Sequence, residues 1–423
     1  MNTLYEKFKE CKGVATDTRA ELTDKLFFCL KGEHFDGNDF ATTALEKGAK
    51  YVVIDRKELA HLPQAILVED CLKALQELAS YHRRTLATPI IALTGSNGKT
   101  TTKELIYNVL NQSFQALKTE GNLNNHIGVP LTLLRLNSDT EIAIIEMGAS
   151  HPGEIATLCE IAEPDFGYIT NFGRAHLEGF GSYEGVIKAK SELYDYLRKN
   201  NKEIFFCQDN TVQAQLLSDY THTYSFTLEN NSLAHISLSV ISSVPFVKLL
   251  WEGNSIGSHL IGKHNAINIA AALCIGRYFK LSPEAITRGI EGYIPTNNRS
   301  QLVEKENGNR LLMDAYNANP SSMRVAIEAF KEIEAPNKIL ILGDMKELGS
   351  YSEEEHQQLV NELCSYPWKA VFLVGENFGK VQTNYLKFPT IEELNLYLQK
   401  EAFKQTIFLV KGSRSMTLEK IKI

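Results

Sequence analysis

The chain contains the stretch Pro89-Ile-Ile-Ala-Leu-Thr-Gly-Ser-Asn-Gly-Lys-Thr-Thr-Thr-Lys103, which has the three parts of a phosphate-binding loop. An apolar run (Ile90–Leu93) predicts a buried strand, the glycine-containing turn follows, and apolar residues spaced along 105–110 predict a helix. Glycine allows the tight turn in which successive N–H groups and the helix N-terminus face an anion. The stretch therefore predicts a nucleotide site on an α/β sheet, and ATP or GTP as the ligand.

Two residues of this loop carry the predicted chemistry. Lys99 is placed to reach the outer phosphates, and the Thr100 hydroxyl is placed to bind Mg²⁺. The spacing departs from the usual G-x-x-x-x-G-K-[ST] pattern, because Leu93 stands where the first glycine belongs. An ordinary strand-to-helix turn is the alternative, but strand, glycines and helix in register favour the nucleotide site.

Size and charge limit the class of protein. A chain of 423 residues is too long for one ordinary core, so two to four domains are expected. The contents of 43% hydrophobic and 22% charged residues are typical of a soluble globular protein. A net charge of −7 argues against a nucleic-acid partner, whose phosphates require a basic surface.

The compartment is predicted from the N-terminus and the cysteines. The first ten residues contain no apolar segment typical of a signal peptide, and no apolar run approaches the roughly 18 residues of a membrane helix. The seven cysteines are scattered and lack C-x-x-C pairs, which favours reduced thiols in a protein core. We therefore expect a cytoplasmic protein without membrane insertion.

Breaks in the pattern predict three α/β domains, at residues 1–86, 87–296 and 297–423. Thr85–Pro89 is interpreted as a linker, because the residue before a proline disfavours helix. Residues 203–261 are more irregular and favour strands, and 264–279 favours a helix. Strands that alternate with helices in this way indicate mostly parallel sheets.

Several apolar runs of the third domain end in polar or glycine-rich turns. Parallel sheets bind ligands at the carboxyl ends of their strands, so we expect these turns to line one crevice. The turns are Asp314-Ala-Tyr-Asn, Gly343-Asp-Met, Gly375-Glu-Asn and Lys411-Gly-Ser-Arg.

The second domain contains further candidates. Glu146 directly follows the apolar run 142–145, where its carboxylate suits a magnesium contact or a simple cap. His176 lies in a glycine-rich turn, and Lys190, fourteen positions on, is by its pattern alone a surface lysine. Asn265 and Asn268 share a helix face, where they either support the helix or present amides to a base.

Together these motifs resemble the Mur ligase family, ATP-dependent amide-forming enzymes of peptidoglycan synthesis. The family's phosphate loop also lacks the first glycine, and Glu146, His176 and Gly262-Lys-His-Asn265 follow in the family's order. The resemblance implies a three-domain α/β architecture with a central P-loop ATPase-type, mostly parallel sheet and a C-terminal Rossmann-like domain. Four stretches are similar to the branch that adds a dipeptide: Gly121–Pro130, Glu146–Ile155, Asp314–Met323 and Leu342–Gly349.

The resemblance also implies roles for individual residues. Lys99, His176, Lys190 and Arg299 are the expected catalytic residues, and Asp17, Thr18 and Arg19 are expected to hold the UDP group. The expected magnesium ligands are Thr100, Glu146, His176 and a carbamoylated Lys190. The residues expected to bind ATP are Thr94, Gly95, Ser96, Asn97, Gly98, Lys99, Thr100, Thr101, Asn268, Arg299 and Asp314.

The implied reaction joins D-alanyl-D-alanine to UDP-N-acetylmuramoyl-tripeptide through an acyl phosphate. It is the last cytoplasmic step toward the peptidoglycan precursor, and we expect a monomer to perform it. The 1–86 domain would bind the UDP substrate and the 297–423 domain the dipeptide. A sibling amide ligase, such as another muramyl ligase or a folylpolyglutamate synthase, is the nearest alternative. A nucleotide-regulated binding protein without catalysis is a second one. The third residue of the tripeptide, diaminopimelate or lysine, is left open.

Overall fold

The computed structural model describes residues 2–296, 298–401 and 403–423. Its strands form a four-stranded, a seven-stranded and a six-stranded sheet, with a three-stranded sheet and a two-stranded hairpin beside them. Helices alternate with the strands along the chain, so the fold is α/β, as predicted. The predicted domain boundary at residue 297 falls outside the described residues, and the three domain ranges stay predictions.

The first sheet is parallel, with strand order β1-β2-β5-β6, and β3 and β4 form a separate antiparallel hairpin. Tyr51–Ile54 is almost wholly buried, as expected for an apolar run in a sheet covered by helices. The elements are α1 (Asn2–Lys9), β1 (Val14–Ala15), β2 (Leu26–Phe28), β3 (Lys31–Gly32), β4 (Phe35–Asp36), α2 (Ala41–Glu46), β5 (Tyr51–Ile54), β6 (Ala65–Leu67) and α3 (Cys71–Leu86).

Helix α3 connects the first sheet to the second. Asp70 caps its N-terminus, and the helix ends at Leu86, so Thr85 and Leu86 are helical rather than part of the predicted linker. The helix continues because its buried side contacts the next layer. There the Arg83 side chain donates to the Ala162 carbonyl oxygen at 3.1 Å and pairs with Asp165 at 2.7 Å.

The seven-stranded sheet is parallel, in the order β13-β12-β11-β10-β7-β9-β8. A three-stranded antiparallel sheet, β14-β15-β16, follows it. The elements are β7 (Ile90–Thr94), α4 (Lys99–Leu110), β8 (Ala116–Lys118), α5 (Gly128–Leu133), β9 (Ile142–Glu146), α6 (Glu154–Ala162), β10 (Phe166–Ile169), α7 (Leu177–Phe180), α8 (Tyr183–Lys199), β11 (Glu203–Cys207), α9 (Thr211–Leu216), β12 (Thr223–Thr227), β13 (Ile236–Ser237), β14 (Ser239–Ser242), β15 (Lys248–Trp251), β16 (Asn254–Ile256), α10 (His264–Tyr278) and α11 (Pro283–Glu291).

Strand register in this sheet positions the nucleotide loop. β7 lies between β10 and β9, with Thr94 opposite Ile169 and Leu93 opposite Glu146. The loop after β7 therefore opens beside the ends of both neighbouring strands. The predicted strand-rich stretch 203–261 also contains a helix, α9, which Asn210 caps by accepting the Gln213 N–H at 3.1 Å.

The six-stranded sheet has the order β17-β18-β22-β19-β20-β21, in which only β17 pairs antiparallel. Its register places Asp314 opposite Lys411 at the carboxyl edge. The elements are β17 (Gln301–Glu304), β18 (Arg310–Asp314), α12 (Pro320–Glu332), β19 (Asn337–Gly343), α13 (Ser352–Leu363), β20 (Ala370–Val374), α14 (Glu376–Lys380), β21 (Leu386–Phe388), α15 (Ile391–Leu398) and β22 (Thr406–Lys411).

The predictions about the cysteines and about membrane helices can now be compared with the structure. The prediction that all cysteines are core residues is wrong for Cys364, which is exposed, and for Cys11, which is partly exposed; the other five are buried. Within the described ranges, none of the helices is both long enough and apolar enough to cross a bilayer.

Candidate active site

A cleft of about 1800 Å³ lies between the seven-stranded and six-stranded sheets. Most of the predicted ATP and metal residues line it: residues 96–101, Glu146, His176, Asn268, Arg299 and Asp314. The predicted residues that do not line it are Thr94, Gly95, Lys190, Asp17, Thr18 and Arg19. The sequence-predicted site is therefore largely one cavity, with the expected UDP contact apart from it.

Gly95 holds the nucleotide loop in a shape that other residues do not fit. Its φ is +140°, and a Cβ there would lie 2.0 Å from the Thr170 hydroxyl oxygen. That hydroxyl donates to the Asn97 carbonyl oxygen at 2.6 Å, and the Asn97 N–H donates to Asn171 Oδ1 at 3.0 Å. The residues that follow β10 therefore fix the loop.

The Lys99 ammonium lies inside the loop. Its Nζ donates to the Gly95 carbonyl oxygen at 2.7 Å. Burial lowers the pKa of Lys99, Glu146 opposes this shift, and Arg299 adds to it. Anionic phosphates in the cleft would favour the charged form again.

The carboxylate of Glu146 is fixed at the floor of the cleft. Thr100 Oγ1 donates to Oε2 at 2.9 Å and Asn124 Nδ2 donates to Oε1 at 3.0 Å, while the buried Lys103 Nζ lies 3.6 Å from Oε2. The side chain of the next residue, Asn125, accepts backbone N–H groups at the start of α5. The contact of Lys103 with Glu146 was not predicted from the sequence, which indicated only that Lys103 belongs to the helix.

This arrangement fits Mg²⁺ in its donor chemistry. A hydroxyl and a carboxylate oxygen lie 2.9 Å apart at the cleft, and Mg²⁺ prefers such oxygens while keeping several waters. Across residues 2–296, 298–401 and 403–423, no group of three or more His, Cys, Asp and Glu side chains could hold a metal ion. A cation here would need Thr100 and a further oxygen donor besides Glu146.

His176 directly contacts a loop that follows β19 of the six-stranded sheet. Its Nδ1 lies 2.5 Å from Oε2 of Glu347, a residue of the Leu342–Gly349 stretch for which the sequence predicted no role. This close contact with His176 holds the pKa of Glu347 below its ordinary value. The imidazole also packs against the Phe180 ring, with the centroids 6.3 Å apart.

Lys190 is buried, which corrects the pattern-based prediction of a surface lysine. Its side chain is 1% exposed, and Nζ donates to the Ala149 carbonyl oxygen at 3.0 Å. Nζ also lies 5.1 Å from the centroid of the Phe180 ring that His176 contacts. Burial first, and then Lys99, lower the pKa of Lys190 to about 7, against the opposing effects of Glu154 and Glu192.

The amides of Asn265 and Asn268 first support the protein itself. Asn268 Nδ2 donates to Asn265 Oδ1 at 2.8 Å, and Asn268 Oδ1 accepts from the Thr102 hydroxyl at 3.0 Å. Asn268 is 6% exposed and that small surface faces the cleft. These contacts demonstrate the supporting role and leave a contact to a base as a prediction.

In the six-stranded sheet, the neighbouring strands β18 and β22 bring Asp314 and Lys411 together. Lys411 Nζ donates to Asp314 Oδ2 at 2.7 Å. Burial alone would raise the pKa of Asp314, but the Lys411 ammonium and the Ser300 N–H hold it below its ordinary value. Burial lowers the pKa of the adjacent His264 to about 4, so that imidazole is neutral.

Not every predicted turn lines the cleft. Asp344 is fully buried and accepts the N–H groups of Asn377 and Phe378 at 3.0 Å each, which caps α14. Neither the 343–345 turn nor the 375–377 turn reaches the cleft, so the prediction that these turns share one crevice is wrong for both. The Arg299 guanidinium, by contrast, stacks 3.7 Å from the Tyr316 ring centroid in the cleft.

The Asp17–Arg19 turn lies on the exposed surface of the first sheet's layer. Arg19 Nη2 donates to Asp17 Oδ2 at 2.6 Å, and the Arg19 N–H donates to Oδ1 at 2.9 Å. The Arg19 hydrogen bonds lower the pKa of Asp17 to about 2. A ligand there would meet a carboxylate that already has a partner.

Besides the contact between His176 and Glu347, two hydrogen bonds and an ion pair join the layers of the seven-stranded and six-stranded sheets at the cleft. Asn319 Nδ2 donates to Asn97 Oδ1 at 2.8 Å, which links α12 to the nucleotide loop. The Arg174 guanidinium pairs with the buried Glu355 at 3.1 Å, and the Arg174 N–H donates to Ser321 Oγ at 3.0 Å. Asn319 belongs to the quoted Asp314–Met323 stretch, but its partner is 222 positions away, and a sequence pattern does not show such a pair.

Comparison with characterised sequences identifies the family. Three Mur ligase domain families match along the chain: "Mur ligase family, catalytic domain" at residues 10–83, "Mur ligase middle domain" at 93–276, and "Mur ligase, glutamate ligase domain" at 298–414. The UDP-N-acetylmuramoyl-tripeptide–D-alanyl-D-alanine ligase of Bacillus subtilis (strain 168) is 38% identical, over 97% of this chain and 92% of its own length. The chain belongs to the Mur ligase family.

This Mur ligase is similar over nearly its whole length to further relatives. The Escherichia coli (strain K12) ligase of the same name is 35% identical over 96% of this chain and 92% of its own length. The crystal structure of MurF from Acinetobacter baumannii aligns with a TM-score of 0.88 at 30% identity, covering 99% of this chain and 96% of that one. MurF ligase from Thermotoga maritima, in complex with ADP, aligns with a TM-score of 0.84 at 29% identity, covering 96% and 95%.

Membership carries the class of reaction. Mur ligases are ATP-dependent enzymes that form amide bonds, so this chain is an ATP-dependent ligase. The three-domain α/β architecture implied by the sequence resemblance is confirmed by the structural relatives.

Proposed function

We propose that this Mur ligase joins D-alanyl-D-alanine to UDP-N-acetylmuramoyl-tripeptide, converting ATP to ADP and phosphate. The product is the UDP-N-acetylmuramoyl-pentapeptide used for peptidoglycan, and hence for cell shape and division. The observation that carries the proposal is the shared cleft, in which the nucleotide loop and Glu146 face Arg299, Asp314 and Lys411. The relatives that match nearly full length bear this activity in their names.

The domain ranges are part of the proposal. We assign the UDP substrate to residues 1–86, ATP to 87–296 and the dipeptide to 297–423. The assignment is supported by family matches at 10–83, 93–276 and 298–414, which leave the proposed boundaries in the gaps between them.

The ATP site is proposed around the nucleotide loop. Residues 94–101 would surround the phosphates with backbone N–H groups, and Lys99 and Arg299 would supply positive charge. Asn268 would lie at the adenine and Asp314 at the ribose. The ADP complex of the Thermotoga maritima relative supports nucleotide binding by a protein of this fold.

Magnesium would be held at two places in the same cleft. Thr100 and Glu146 would hold one ion, and His176 with a carbamoylated Lys190 would hold a second. A bound Mg²⁺ would supply positive charge beside the phosphate oxygens. Lys190 fits this role because it is buried beside Phe180, which His176 also contacts. Reaction of its neutral amine with CO₂ forms an N–C bond, releases a proton and creates an anionic oxygen donor.

The proposed chemistry has two steps. In the first, a terminal carboxylate oxygen of the tripeptide attacks the γ-phosphorus, the bond to ADP breaks, and an acyl phosphate forms. This step is needed because a carboxylate has no acceptable leaving group for an amine. Lys99 and Arg299 would neutralise the charge that develops on the transferred phosphoryl group.

In the second step, the amine of D-alanyl-D-alanine attacks the acyl carbon. The tetrahedral intermediate collapses, the C–O bond to phosphate breaks, and the nitrogen gives up a proton. The 411–414 segment would lie beside the dipeptide, since Lys411 and Arg414 line the cleft. Water must be excluded during this step. The contacts of Asn97 with Asn319 and of Arg174 with Glu355 would help to hold the two sides of the molecule together while the acyl phosphate exists.

The proposal is tested by phosphate release from ATP with UDP-N-acetylmuramoyl-tripeptide and a panel of amines. The panel contains D-alanyl-D-alanine, D-alanine, L-alanine, D-glutamate, L-lysine and diaminopimelate, and the tripeptide is supplied with diaminopimelate or lysine as its third residue. We expect release and a pentapeptide product with D-alanyl-D-alanine alone. If a single amino acid gave a higher rate than D-alanyl-D-alanine, the family assignment would stand, but the proposed amine substrate would be wrong.

We further propose a cytoplasmic location and a monomer. The substrates ATP and a UDP-linked peptide support the first. Light scattering of the purified chain, whose mass is 47.5 kDa, tests the second. A mass near twice that value at micromolar concentration would contradict a monomer.

A further inference from the structure

The Arg299 guanidinium lies with its flat face against the ring of Tyr316. Its central carbon is 3.7 Å from the ring centroid, and both side chains line the cleft. If an N–H edge pointed at the ring instead, a nitrogen would lie between the two groups and would hold the central carbon farther away. The short distance therefore indicates that the two planar groups stack, a contact in which cation–π attraction adds to packing.

Stacking leaves the hydrogen-bonding edge of Arg299 unused. A guanidinium has five N–H donors in its plane, and a ring that covers its face takes none of them. Another arginine of the cleft, Arg414, lies 6.0 Å from the same ring centroid but pairs with Glu419 at 2.7 Å. Among the residues that the structure describes, no carboxylate or other acceptor holds the donors of Arg299. Its edge is therefore available to a ligand.

The backbone around Arg299 is fixed to the strand that precedes Tyr316. The neighbours Asn298 and Ser300 have φ values of +57° and +49°, in the left-handed region that few side chains occupy. The Ser300 N–H donates to Oδ1 of Asp314, the last residue of β18, at 3.1 Å. The segment that carries Arg299 is thus fastened to the end of β18, and Tyr316 follows that end by two residues.

The nucleotide loop lines the same cleft as this stacked pair. A flexible arginine loses side-chain freedom when it binds a phosphate, and that loss weakens binding. An arginine that is already stacked on a ring has lost this freedom beforehand, yet it keeps the planar set of donors that fits phosphate oxygens. The ring of Tyr316 would therefore favour phosphate binding by Arg299 without competing for its donors.

We propose that Tyr316 is a positioning residue for Arg299, holding the guanidinium by its face so that its N–H edge meets the γ-phosphate of ATP. This inference rests on the phosphoryl contact of Arg299 in the proposed function. Tyr316 acts through the arginine and not on the nucleotide, so its effect should depend on the third phosphate. The ring then contributes to the discrimination of ATP from ADP.

The test compares two nucleotides by calorimetry on the full chain in the presence of Mg²⁺. They are ADP and adenylyl imidodiphosphate, a non-hydrolysable analogue of ATP. Tyr316→Leu removes the ring but keeps an apolar side chain. We expect it to weaken the affinity for the analogue about 2–30-fold, the range that a cation–π contact supplies, and to leave the affinity for ADP unchanged. Tyr316→Phe is the matched control, which keeps the ring and should bind both nucleotides as the wild type does.

ADP serves as the internal control for a merely structural role. If Tyr316→Leu weakened the affinity for ADP as much as that for the analogue, the ring would act on the nucleoside or on the fold, and the proposal would be overturned. An equal loss in Tyr316→Phe would overturn it as well, because the ring is still present there. Circular dichroism checks the fold, and Tyr316→Met is the second variant without a ring if Tyr316→Leu does not fold.

Arg299→Ala separates failure of this inference from failure of the proposed function. It should weaken the affinity for the analogue and not that for ADP, and adding Tyr316→Leu to it should cause no further loss. If Arg299→Ala has this effect and Tyr316→Leu alone has none, or if the double variant loses more, the inference is wrong while the role of Arg299 stands. If Arg299→Ala binds the analogue as the wild type does, the phosphoryl contact of Arg299 is wrong and the inference falls with it.

Discussion

Lys190 gives the sharpest prediction, because its burial changes the chemistry of its amine. With a pKa lowered to about 7, roughly nine tenths of the amine is neutral at pH 8, whereas an ordinary lysine with a pKa near 10.5 is about 0.3% neutral. Only the neutral amine reacts with CO₂. At this pH the neutral fraction of the Lys190 amine is therefore about 300 times that of a solvated lysine, which favours its carbamoylation.

The sign of the pH effect follows directly. The neutral fraction rises as pH increases through 7, so at limiting CO₂ the rate should fall as pH is lowered. Between pH 8 and pH 6 the neutral fraction falls about tenfold, and we expect a similar loss of turnover. Added bicarbonate should lessen this loss, because a higher CO₂ concentration compensates for a smaller neutral fraction.

Two variants test the residue itself. Lys190→Ala should be nearly inactive in phosphate release, and short-chain carboxylic acids should partly restore it by supplying oxygen ligands. Lys188→Ala is the matched control: that lysine is exposed on the same helix and should keep most of its activity. Mass spectrometry of the intact wild type under CO₂ should show the added carbamate. A fully active Lys190→Ala, or activity lost in Lys188→Ala instead, would refute the reasoning.

Three further predictions concern the ATP site. Lys99→Ala should keep its fold but lose on the order of 10²-fold or more in kcat, because the ammonium that neutralises the charge of the phosphoryl group is removed. Circular dichroism checks the fold and phosphate release checks the rate. Near-normal turnover would contradict the prediction. Gly95→Ala places a Cβ 2.0 Å from Thr170 Oγ1 and should weaken ATP-analogue binding in calorimetry, whereas Gly379→Ala, with open space around its Cβ, should not. Removal of Mg²⁺ with a chelator should stop phosphate release. Glu146→Gln should raise the Mg²⁺ concentration needed for half-maximal rate. If the variant and the wild type depended on Mg²⁺ equally, Glu146 would not be a Mg²⁺ ligand.

The nucleotide half of the cleft could be predicted from sequence because its parts are close together along the chain. An apolar run, two glycines and Lys99 occupy adjacent positions, and local backbone geometry dictates what they form. The position of Glu146 could be predicted for a similar reason, because the apolar run 142–145 shows where the buried strand ends. The structure then added what makes the pair work, the adjacency of β7 and β9 that brings Thr100 to Glu146.

Properties that depend on distant packing could not be predicted in this way. Lys190 has the spacing of a surface lysine, and only the packing of α8 against the sheet buries it. Glu347 was quoted within a motif, but its contact with His176 joins two domains, and no local pattern shows such a pair. The Gly343–Met345 turn was expected in the cleft, yet the Asp344 carboxylate turns inward because α14 needs a cap.

The central claim is ligation of D-alanyl-D-alanine through an acyl phosphate, and isotope transfer tests it most directly. UDP-N-acetylmuramoyl-tripeptide labelled with ¹⁸O in both oxygens of its reacting carboxylate is incubated with ATP, D-alanyl-D-alanine and the full chain. We expect a product heavier by one dipeptide less water, with one ¹⁸O retained in the new amide and the other in the released phosphate. Unlabelled phosphate, or labelled phosphate without the dipeptide product, would contradict it.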